Sequence, residues 1–86
     1  MNINHVDKHG NTALTHASKF GKTECVELLL THGTINVNHV DKKTGHTALM
    51  YASTNGYTKC IELLLKHPTI NPLQQDIYGT CYFDLI

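Results

Sequence analysis

The chain has 86 residues, with seven lysines, no arginine and seven acidic residues, so its net charge is zero. At that length one small domain is expected, residues 1–86 taken together. A balanced, arginine-free composition argues against nucleic-acid binding, which draws on a clustered basic surplus to release phosphate counterions. No apolar run approaches the roughly 18–20 residues that a membrane helix needs. The opening MNINHVDKHG lacks the basic-then-apolar layout of a signal peptide. The expectation is a chain kept inside the cell, in the cytoplasm. Three cysteines, Cys25, Cys60 and Cys81, form an odd set that suits reduced, buried thiols better than a disulfide framework.

In chain order, Asp7 and Gly10 mark a first turn. Thr12 then precedes the stripe Ala13, Leu14 and Ala17, which predicts a helix over Thr12–Lys19 with Thr12 as its cap. Gly21 breaks it. Cys25, Val26, Leu28, Leu29 and Leu30 predict a second helix over Thr23–Thr31, apolar around more than half its circumference. Gly33 is expected to close that helix in the left-handed conformation.

Asp41 and Gly45 bracket the next turn, spaced one residue wider than Asp7 and Gly10. Helices are predicted over Thr47–Thr54 and Thr58–Lys66, separated by Gly56. Pro68 stands where Gly33 stood, so this helix is expected to end at or before His67 by a different route. A third turn spans Asp76–Gly79. Cys81 then replaces the capping threonine ahead of a final helical start.

Two stretches carry the organisation. ECVELLLTHGTIN at Glu24–Asn36 recurs as KCIELLLKHPTIN at Lys59–Asn71, and TALTHASKFG recurs as TALMYASTNG at the same offset of 35 residues. A period in the thirties is the mark of stacked helical units. The pattern D-x-x-G-x-T-A-L-x-x-A, then Gly and E-C-V-E-L-L-L-x-x-G, resembles the ankyrin repeat. It fits units at about 3–34 and 37–69 and a partial one at 72–86. The resemblance implies an all-α helical solenoid with turn-like loop tips, no catalysis and no cofactor. The family's usual histidine, which ties neighbouring units, is Thr15, Met50 and Asp84 here.

The resemblance also implies a protein partner held on a concave surface of loop tips and first-helix faces. Carried over residue by residue, that surface comprises Lys8, His9 and Asn11, then Lys42, Lys43, Thr44 and His46, then Ile77, Tyr78 and Thr80. From the first helices it adds His16, Lys19, Phe20, Tyr51, Thr54 and Asn55. Its cations suit an acidic or mixed partner. Phe20 and Tyr51 are the leading contacts, because aromatics are enriched at interfaces.

Other chemistries fit less well. Seven histidines and three cysteines invite a metal, but no cluster has the spacing of converging zinc ligands, so none is expected. A Cys–His nucleophile would need an exposed, activated thiol, whereas Cys25 and Cys60 lie on apolar stripes. Asn38 follows Val37 in a loop context that resembles a site of asparaginyl hydroxylation in ankyrin proteins. Stacked units bury their faces only against one another, and the third stops within its first helix. The chain is therefore expected to be excerpted from a longer array, continuing or capping it, or to self-associate through Phe83, Leu85 and Ile86.

Overall fold

The computed structural model describes residues 2–85, apart from the side chain of Phe83. Among the described residues five helices follow one another: α1 (Ala13–Lys19), α2 (Thr23–Leu30), α3 (Ala48–Thr54), α4 (Thr58–Leu65) and α5 (Tyr82–Leu85). The described residues contain no strand. Helix α1 packs on α2 and α3 on α4 within a unit, while α1 meets α3, α2 meets α4 and α3 meets α5 between units.

Each first helix starts where a threonine can satisfy its orphan N–H groups. The Thr12 hydroxyl accepts from the Thr15 N–H, and the Thr47 hydroxyl accepts from the Met50 N–H. Unit 3 has no such hydroxyl. There the Cys81 N–H donates to the Asp84 carboxylate instead. Gly21 and Gly56 end α1 and α3 with φ of 68° and 71°. At Gly21 the absence of a side chain also has a packing reason, since a Cβ would lie 2.9 Å from the Tyr57 ring.

The second helices end differently from the sequence expectation. Gly33 does not adopt a positive φ. Both α2 and α4 stop one residue short of the predicted ends, capped by Thr31 and Lys66 in the right-handed region. The chain then turns on a histidine: the His32 ring accepts from the Thr34 N–H and the His67 ring from the Thr69 N–H. Because that device needs neither glycine nor proline, Gly33 and Pro68 end in the same geometry. The exit before His67 is as expected, but its route is shared.

The core lies between units. Leu14, Val26, Val37, Leu49, Cys60 and Leu64 are fully buried, and truncating Leu49 or Leu64 to Ala would cost about 2–5 kcal/mol. Cys25 corrects a second expectation: it is exposed, whereas Cys60 at the equivalent position is buried. The difference is stacking. Cys60 is covered by unit 1, with the Thr23 hydroxyl 3.7 Å from its sulfur, while the matching face of unit 1 is open.

Candidate functional site

Three loop tips are built on one plan. Asp7, Asp41 and Asp76 each accept from backbone N–H groups two to four residues later, folding the loop over the carboxylate. Each Asp N–H closes the loop on a carbonyl, at Asn11, His46 and Thr80 respectively. The middle tip is one residue longer, as its wider Asp–Gly spacing predicts. Its Thr44 carbonyl accepts from the Ile77 N–H at 2.9 Å, joining the second tip to the third.

Helices α1 and α3 reach Asp7 and Asp41 from equivalent positions, and the second tip reaches Asp76. The His16 ring lies 2.7 Å from the Asp7 carboxylate. The Tyr51 hydroxyl donates to Asp41, which also accepts from the Thr44 hydroxyl. The His46 ring bridges forward to Asp76 at 3.0 Å.

These contacts set the charge states. The bond from His16, aided by the Asn11 N–H, lowers the Asp7 carboxyl to about 2. Burial pushes Asp41 up, but donation by Tyr51, Thr44 and Gly45 outweighs it and leaves the carboxyl at about 2. Burial and the same Asp41 bond push the Tyr51 phenol up to about 12. Asp76 is lowered chiefly by the Thr80 N–H. All three carboxylates are thus ionised and internally satisfied at neutral pH.

Between the first two tips and the first helices lies a cleft of about 340 Å³, lined by His9, Asn11, His16, Lys19, Asp41, Lys43, Thr44 and Tyr51. The Lys19 ammonium sits 5.9 Å from the Phe20 ring centroid and 5.4 Å from that of Tyr51, within cation–π range. Phe20 is 59% exposed. Lys8, His9, Lys42, Lys43, Thr54, Asn55, Ile77 and Tyr78 are exposed, while Thr44, His46, Tyr51 and Thr80 are half-buried and Asn11 is buried. Asn55 reaches across units, its amide donating to the Lys19 carbonyl. At the far end, Leu85 is half-buried in α5; Ile86 and the Phe83 side chain lie outside the described residues.

A second surface is apolar. Ala13, Ala17, Phe20, Cys25, Leu28 and Leu29 help line a groove of about 580 Å³ on the open face of unit 1. Among the described residues no three His, Cys, Asp or Glu side chains are placed to hold a metal ion, and no helix is long and apolar enough to cross a membrane.

Sequence reasoning missed the polar ladder that ties units together. The Asn4 amide donates to the Thr34 carbonyl while its oxygen accepts from the Asn36 N–H. Asn38 does the same with Thr69 and Asn71. The recurrence of N-x-N at Asn2–Asn4 and Asn36–Asn38 was the available signal. The His39 ring adds a further bond between units, to the Gly10 carbonyl.

A family model described as ankyrin repeats, in three copies, matches residues 1–76. No match to the chain is found among curated proteins.

Proposed function

The chain belongs to the ankyrin-repeat family, and on that premise we propose that it holds a protein partner on its loop tips and first-helix faces. Ankyrin repeats generally mediate protein–protein interaction and are typically non-catalytic. One observation carries the choice of surface: exposed Phe20 with half-buried Lys19 and Tyr51 forms a contiguous aromatic and cationic patch beside a cleft. Tyr51 is held in place by Asp41, so it meets a partner with little ordering cost. The test is co-purification with the full chain and with Phe20→Ala and Lys43→Ala variants of unchanged helicity. Loss of the same protein from both variants is the expected result; undiminished capture by both sinks this reading.

A second reading, continuation of a repeat stack or self-association, is favoured by the apolar groove on unit 1, where Leu28 is 71% exposed. Light scattering at micromolar concentration would then show a dimer or larger. Comparing Leu28→Lys with Leu85→Lys reveals which end makes the contact.

A further inference from the structure

The zero net charge conceals a segregation. Of the seven acidic residues, Asp7, Asp41 and Asp76 are consumed inside the loop tips. Glu24 and Glu27 lie on α2, Glu62 on α4 and Asp84 on α5. The lysines divide otherwise. Lys22, Lys59 and Lys66 accompany the glutamates around α2 and α4, whereas Lys8, Lys19, Lys42 and Lys43 lie on the first two tips and α1. Among the described residues the ion pairs are His16–Asp7 and His46–Asp76, so no lysine is neutralised by a carboxylate.

From this we infer that the cleft between the first two tips takes an acidic peptide segment, one of whose carboxylates seats between Lys19 and Lys43. The inference rests on the proposed partner surface and names the partner's chemistry. Asp41 also lines the cleft, but its carboxylate is saturated by the Tyr51 and Thr44 hydroxyls and by the N–H groups of Lys43, Thr44 and Gly45. Asp7 is likewise bonded to His16 and to the N–H groups of His9 and Asn11. Both carboxylates are already engaged by hydrogen bonds within the chain, while no carboxylate among the described residues pairs with the ammonium donors of Lys19 and Lys43. A cleft of about 340 Å³ suits one or two side chains. A nucleic-acid backbone is the poorer fit, because phosphate recognition favours guanidinium forks and a longer basic track.

The experiment pans the full chain against a random linear peptide display library. Selected peptides are synthesised and titrated against wild type, Lys19→Glu, Lys43→Glu and the back-helix control Lys59→Glu. Expected are peptides rich in Glu and Asp, weakened by added salt, with affinity falling about tenfold or more in the two cleft variants and unchanged in the control. Peptides without acidic enrichment that still lose affinity in Phe20→Ala overturn the inference but leave the partner surface standing. Peptides indifferent to every cleft variant overturn both. An empty selection, or a single-stranded oligonucleotide that binds more tightly than the peptides, also overturns the inference.

Discussion

Asn38 and Asn71 are joined from the start of a unit to the junction beyond its end: the Asn71 N–H donates to the Asn38 side-chain oxygen at 2.7 Å, while the Asn38 amide donates to the Thr69 carbonyl at 2.8 Å. Asn4 repeats both bonds one unit earlier, to Asn36 and Thr34. One side chain thus satisfies a backbone acceptor at the end of its own unit and a backbone donor at the junction with the next. Replacing Asn38 with Ala removes both bonds, at an expected cost of about 1–3 kcal/mol. Asn38→Asp keeps the acceptor and should lose less. Urea unfolding midpoints rank the two, and equal stability of Asn38→Ala with wild type is the contrary outcome.

The two helix-breaking glycines should respond unequally to alanine. Gly21 and Gly56 share a positive φ, so each substitution carries a conformational penalty of about 1–2 kcal/mol. Only at Gly21 would the new methyl collide with the Tyr57 ring; at Gly56 it meets open space. Gly21→Ala should therefore lower the melting temperature clearly more than Gly56→Ala. The double variant Gly21→Ala, Tyr57→Ala should recover the steric part of that difference.

Much of this architecture is legible in the residues. Helix starts at Thr12 and Thr47 are local features, because a hydroxyl three residues before a free N–H finds it wherever the helix lies. The longer middle tip follows equally directly from the Asp41–Gly45 spacing. That Cys25 is exposed while Cys60 is buried was not legible. Periodicity assigns a residue to a helix face, but coverage of that face depends on which unit lies beside it. The asparagine ladder was hidden for a related reason: Asn38 and Asn71 are 33 residues apart, and only the fold brings them together. The candidate partner residues were placed by resemblance. That route could not tell buried Asn11 from exposed Lys43.

Thiol reactivity should reproduce the stacking. A bulky disulfide reagent is expected to modify Cys25 rapidly in the native chain, since it is exposed on the open face of unit 1. Half-buried Cys81 should follow more slowly. Cys60 should react only at the rate of unfolding. Peptide mapping after brief labelling decides the order, and prompt modification of Cys60 contradicts the packing of unit 1 on unit 2.

Acid should destabilise the fold through its loop tips. Asp7 and Asp41 have their carboxyls lowered from the usual 3.8 to about 2, and Asp76 is lowered as well. A depressed carboxyl stabilises the fold fully above its unfolded value, and that contribution fades as pH falls towards its folded value. Stability should therefore hold down to about pH 4 and decline from there to about pH 2. Asp41→Asn removes one of the three contributions and should flatten the decline. A wild-type stability that is level across that window rules the account out.

Leu73 occupies the place in unit 3 that Asn4 and Asn38 hold in units 1 and 2, and it is 78% exposed. The tie from a unit's start to the junction beyond it is accordingly made twice, by Asn4 and Asn38, and lapses at Leu73. Such a chain has a direction of unravelling. Amide protons beyond Leu73 should exchange with solvent first and those around Val37 last, with opening travelling backwards along the sequence rather than inwards from both ends.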